Sequence, residues 1–117
     1  MDDFDSPSML EAVEELERKD YLSALALLLP LADAGNPKAL CNLANLYHFG
    51  WGVEADGKKA AELYRKVASQ NIRQQHLSGI AYQNLATLYI IGAPGVEPDC
   101  EKAAQYRKLA IEAGFDM

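Results

Sequence analysis

Three sets of residues in this chain have types and spacings that suggest chemistry. Gly52-Val53-Glu54-Ala55-Asp56-Gly57-Lys58-Lys59 meets the first seven positions of the G-x-x-x-x-G-K-[ST] phosphate loop, whose backbone N–H groups cradle phosphates while a closing hydroxyl binds Mg²⁺. Lys59 stands at the hydroxyl's place and has none to offer. Cys41 and His48 share a helix face as nucleophile and base, but two turns at ~1.5 Å per residue put them ~10 Å apart, too far for a thiol–imidazole hydrogen bond. His76 could approach either cysteine only if its irregular surroundings, "NIRQQHLSGI", bring it there. Cys41 and Cys100 show no C-x-x-C or Cys/His ligand spacing, so both are read as reduced thiols and no metal is expected.

Whether any of these groups works depends on the elements that carry them. The 117 residues, 50% of them apolar, suit one compact domain without staples. The longest apolar stretch, Leu22 to Ala32, is broken by Ser23 and Pro30 and falls well short of the roughly 20 residues that span a bilayer, so no membrane association is predicted. "MDDFDSPSML" carries acid where a secretory signal carries positive charge, which predicts a cytoplasmic protein. The net charge of −6 is concentrated in residues 1–20, where eight acids face Arg18 and Lys19. That run is either a solvated helix face or a docking face for a basic partner. With no basic stripe elsewhere, nucleic acid is not expected as a partner.

The chain repeats itself. Laying residues 39–68 over 81–110 pairs Leu43 with Leu85, Ala44 with Ala86, Leu46 with Leu88, Tyr47 with Tyr89 and Gly50 with Gly92. After one extra loop residue, Gly52 meets Gly95, Asp56 meets Asp99, and Lys59-Ala60-Ala61 meets Lys102-Ala103-Ala104; Tyr64 and Tyr106 fall back into register. A fainter half-copy upstream places Ala24, Leu27, Leu31 and Ala32 before Ala60, Leu63, Val67 and Ala68. A period in the range of roughly 20–50 residues signals a solenoid or array, here of three units at about 6–35, 36–70 and 71–114 within a single domain.

Each unit reads as two helices, and no sustained alternation of period two competes. Leu40, Leu43, Ala44, Leu46 and Tyr47 make one apolar stripe, opened by Asn36-Pro37 as cap and first-turn proline and stopped by Gly50. Asp56 and Asp99 cap the second helices. In the first unit Ser8 and Glu11 read as a capping box ahead of a buried face of Met9, Leu10, Val13 and Leu16. Asp20 caps a second helix from Tyr21 to about Ala34, in which Pro30 predicts a kink or loosening near Ala26. Between the second and third units about six residues are inserted within 71–80; they lengthen a helix or project as a loop.

The pattern A-x-x-x-L-A-x-L-Y-x-x-G-x-G-V-x-x-D-x-x-K-A-A-x-x-Y, carried by Ala39 to Tyr64 and again by Ala81 to Tyr106, resembles the Sel-one-like repeat, a relative of the tetratricopeptide repeat. The resemblance covers residues 20 to 114 and departs from the pattern at 71–80. It implies an all-α, right-handed α-α superhelix of about three antiparallel helix pairs, with Ala44, Ala60, Ala86 and Ala103 allowing close helix approach. It also implies a protein or peptide partner on a concave face lined by the first helix of each pair, with no catalytic residues and no cofactor. A small inhibitor or immunity-type protein, occluding a toxin or enzyme, is the alternative that the resemblance offers.

Candidate partner-binding residues lie off the apolar stripes: Asn42, Asn45, His48, Phe49 and Trp51 in the second unit, and Gln83, Asn84, Thr87 and Ile91 in the third. Asn42 with Asn84 and Asn45 with Thr87 form a polar ladder able to hydrogen-bond an extended backbone, or an ordinary solvated face. Phe49, Ile90 and Ile91 are a hydrophobic pocket or inter-unit packing. Trp51, the one tryptophan, is a binding anchor if exposed and core if tucked in. Tyr47, Tyr64, Tyr89 and Tyr106 read as packing residues with their hydroxyls at the edge. The last helix, with Leu109 and Ile111, has no evident cap and invites weak homodimerisation.

Overall fold

The computed structural model describes residues 7–70 and 75–113, the side chains of Gln75 and His76 excepted. Six helices follow one another: α1 (Pro7–Glu17), α2 (Tyr21–Asp33), α3 (Pro37–Phe49), α4 (Gly57–Ser69), α5 (Gln75–Ile91) and α6 (Cys100–Glu112). Each packs on its neighbours in the chain, and α3 also touches α5, so the chain forms three successive helix pairs in an all-α solenoid. Among the described residues there is no strand, only an isolated bridge between Ala93 and Val96.

Local chemistry sets the helix ends. Asp20, Asp56 and Asp99 each cap a second helix, accepting from the N–H of Ser23, Lys59 and Lys102 at 3.2, 3.1 and 3.1 Å; such caps contribute ~1 kcal/mol each. Asn36 accepts from the N–H groups of Lys38 and Ala39 ahead of Pro37. Gly50 and Gly92 end α3 and α5 in left-handed conformations, φ 72° and 83°, and their N–H groups donate to Leu46 and Leu88. That backbone conformation is open to glycine at no steric cost.

The stripe of α3 is buried through Leu40, Leu43, Ala44 and Leu46, and its counterpart in α5 through Leu85, Ala86, Leu88 and Tyr89. Each fully buried leucine contributes roughly 1.5–3 kcal/mol. Ala44, Ala60, Ala86 and Ala103 are all buried, as close helix approach requires.

Several expectations change. Ser8 is the second residue of α1, behind Pro7, so it cannot be the cap of a capping box; the cap position, residue 6, lies outside the described residues. Only Met9 and Ala12 of α1 are buried, while Leu10 and Val13 are exposed, because α1 packs chiefly on α2. As expected, α2 runs through Pro30 to Asp33; Ala26 and Pro30 both lie on the exposed face, where water can satisfy the freed carbonyl. The insertion lengthens a helix: α5 begins at Gln75, six residues ahead of Ala81, whereas α3 begins two ahead of Ala39. The other inserted residues, 71–74, and the side chain of His76 are outside the described residues.

Candidate interaction face

The stretch that imitates a phosphate loop joins two helices, with α3 where a strand would be needed. The Asp56 carboxylate sits at the N-terminus of α4 and takes the Lys59 N–H, occupying with its own negative charge the position a phosphate would fill. The Gly57 N–H is also engaged, donating at 2.8 Å to the carbonyl of Pro94 in the following unit. A Cβ on Gly57 would stand 2.7 Å from the Cβ of Ala93 and 2.8 Å from that carbonyl. Gly57 is therefore a seat for the next unit's turn, and Lys58 and Lys59 are exposed, with the Lys58 stem lying along Gly95.

The thiol–imidazole pairing dissolves in the same way. Cys41 is buried, and burial pushes its thiol up to about 12, far from the thiolate a nucleophile needs. The His48 Nδ1 lies 3.4 Å from the Tyr64 hydroxyl, and burial lowers the pKa of the imidazole. Tyr64 is fully buried with its hydroxyl inside the fold, donating to Asn45 Oδ1 at 2.5 Å. Burial, with a smaller contribution from Cys41, raises the pKa of this phenol. Among the described residues, no three His, Cys, Asp or Glu side chains cluster to hold a metal.

The polar ladder is made of half-buried groups, three of which bond within the fold. Asn42 Nδ2 donates to the carbonyl of Lys38 and Thr87 Oγ1 to that of Gln83, both one turn back. Asn45 is spent on Tyr64. Gln83 and Asn84 are half-buried, with Gln83 Oε1 lacking a partner among the described residues. The ladder positions thus line a face, but Asn45 supports α4 as much as it faces outward.

The aromatic candidates come together instead. Trp51 is 43% exposed and Phe49 53%. Trp51 stacks on Tyr21 at 5.6 Å and on Phe49 at 4.8 Å, and Phe49 on His48 at 4.3 Å. Trp51 is neither free nor core. Ile90 and Ile91, at the positions of His48 and Phe49 in the next unit, are exposed rather than packed between units.

Between α1 and α3, the first helices of their pairs, a cleft of about 390 Å³ is lined by Leu16, Glu17, Lys19, Tyr21, Asn42, Asn45, Leu46 and Trp51. Tyr21 and Leu16 were not among the candidate binding residues named from the sequence. The register held the signal: Tyr21 follows cap Asp20 as Gly57 follows cap Asp56. Each receives the next unit's turn, a Cβ on Gly52 falling 2.7 Å from Tyr21 Cβ. A second cleft, of about 590 Å³, lies along the seam between the second and third units. There Lys58, Arg65 and Lys102 alternate with Glu62, Glu97 and Asp99, and Lys102 sits 5.3 Å above the Tyr89 ring.

Among the described residues no helix is long and apolar enough to cross a membrane. The family model of the Sel1 repeat matches residues 37–72 and 79–115, together more than half of the chain. No curated protein matches it.

Proposed function

Given that the chain belongs to the Sel1 repeat family, a family of protein-interaction modules, we propose that it is a non-catalytic adaptor or regulator binding a partner protein or peptide on the face formed by the first helices α1, α3 and α5. The observation that carries this reading is the aromatic row Tyr21–Trp51–Phe49–His48, which starts in the α1–α3 cleft, where Tyr21 and Trp51 line the wall, and runs on beyond it. A solvent-exposed tryptophan stacked in a rigid row supplies the large, ordered contact surface typical of binding hot spots. The reading takes residues 1–117 as one domain of three units acting in the cytoplasm, with no nucleic-acid partner and no cofactor. Exposed Leu109 and Ile111 on α6 support weak self-association through that helix.

The test is affinity capture from native cells with wild type and with two charged variants, Asn42→Arg and Phe49→Glu. Asn45 is left intact because it bonds Tyr64. Partners held by wild type should be lost from both variants while their circular dichroism and melting stay unchanged. Undiminished capture by folded variants would sink the face. The inhibitor reading has its own support in the acidic α1, which holds four glutamates and no base. It requires a basic target whose activity falls to zero at one equivalent.

A further inference from the structure

We infer that the segment taken into the α1–α3 cleft is basic and presents an arginine, whose guanidinium stacks on the aromatic row while its charge meets the glutamates of α1. The inference rests on this face being the partner-binding surface. Tyr21, Trp51, Phe49 and His48 are parallel to their neighbours within 25°, at centroid separations of 4.3 to 5.6 Å. Those separations exceed face-to-face contact, so the rings are offset and part of each face stays open. An open indole or phenyl face attracts a cation, and a planar guanidinium both stacks on it and keeps its N–H groups free for carboxylates. A lysine ammonium has no plane to lay on the ring.

Charge selects the same occupant. Glu11, Glu14, Glu15 and Glu17 stand on α1 without a basic neighbour inside the helix. Glu15 is held by Arg18 at 2.9 Å, while Glu17 lines the cleft beside Trp51. Lys19 offsets Glu17 within the cleft lining itself, so the negative excess comes from the rest of α1, whose Glu11 and Glu14 are exposed on the helix that borders the cleft. An acidic segment would face the α1 carboxylates, and an apolar one would strip water from Glu17 with nothing in return. The larger cleft also balances its lining charges, and no acidic helix stands beside it, since α4, α5 and α6 together carry more bases than acids.

Random twelve-residue peptides displayed on phage, selected on the full chain and counter-selected on Trp51→Ala, test both claims. Peptides that need Trp51 should carry arginine well above its library frequency. One of them, made synthetically, should change the fluorescence of Trp51, the chain's single tryptophan. Its affinity should fall about fivefold on Arg→Lys, and further with neutral citrulline at that position. Glu17→Gln, an exposed change that leaves the fold alone, should weaken the arginine peptide and not its citrulline version. Trp51-dependent peptides without arginine enrichment would overturn the basic partner and keep the face. A selection yielding no Trp51-dependent peptide would overturn both.

Discussion

The turns "GVEADGKK" and "GVEPDCEK" occupy the same place in successive units and are built for different neighbours. Both end in a capping aspartate whose own N–H returns to the first helix, Asp56 to Tyr47 and Asp99 to Tyr89 at 2.8 and 2.7 Å. They differ just before that aspartate, Ala55 against Pro98, and just after it, Gly57 against Cys100. Gly57 lies under the turn Ala93-Pro94-Gly95-Val96, a type II arrangement with proline second and left-handed Gly95 third. Cys100 is exposed, and no described residue packs a further turn upon it. The alanine pairs tell the same story: Ala60 and Ala103 are both buried within their own units, whereas Ala61 is buried and Ala104 exposed. A repeat residue serves its own unit, the following unit, or both, and among the described residues the third unit shows only the first duty.

The strongest way to break this comparison is Gly57→Ala. The new methyl would overlap a side chain and a backbone carbonyl at under 3 Å, so the turn of the third unit must shift and the Gly57–Pro94 hydrogen bond with it. A loss of about 3 kcal/mol is expected by urea unfolding. Cys100→Ala, the same methyl-sized residue in the same place, should lie within ~0.5 kcal/mol of wild type. Equal losses at the two sites would show that the turns are equivalent after all.

Next in size is the tyrosine that closes each unit. Tyr64 is buried and gives its hydroxyl to Asn45, with His48 beside it. The third unit has Thr87 in place of Asn45, with its own hydroxyl turned to Gln83. Tyr106 is half-buried, stacked on Tyr82 and Tyr89 with Arg65 within reach. Tyr64→Phe strands a half-buried carboxamide oxygen and should cost about 1–2 kcal/mol; Tyr106→Phe should cost less than half of that. Thermal and urea melts of the two variants make the check, and a reversed order would mean that the Asn45 bond contributes little.

These contrasts mark what a sequence shows and what it hides. The helices, caps and buried stripes were legible because each follows from periodicity or from one residue's backbone chemistry: Asn36, Gly50, Asp56 and Asp99 act where they stand. The repeat was legible because two copies agree at Leu43 and Leu85, Tyr47 and Tyr89, Gly50 and Gly92. The aromatic row was half legible. Phe49 and Trp51 announce themselves by type, but Tyr21 joins their row only through the packing of one unit's turn on the preceding helix. Asn45 looked like a surface residue because nothing local says that Tyr64 bonds it. Leu10 and Val13 looked buried because a helical stripe does not reveal how many neighbours its helix will have.

The finest contrast is between His48 and its counterpart Ile90. Burial lowers the pKa of the His48 imidazole below its ordinary 6.5, so the folded chain prefers the neutral ring. Above that value both folded and unfolded states are neutral there, and the preference has no effect on stability. As the pH falls through 6.5, the unfolded chain takes its proton first, and stability is lost from there down until the folded imidazole also titrates. Ile90 has no proton to take, so the third unit has no such acid-sensitive group at this position. Transplanting the third unit's residue, His48→Ile, should flatten the fall in melting temperature between pH 7 and pH 5 relative to wild type, by a few degrees at most because the ring is partly solvated. Identical slopes in the two proteins would place the imidazole in an environment no less watery than the unfolded chain. That result would also remove His48 from the ordered end of the aromatic row.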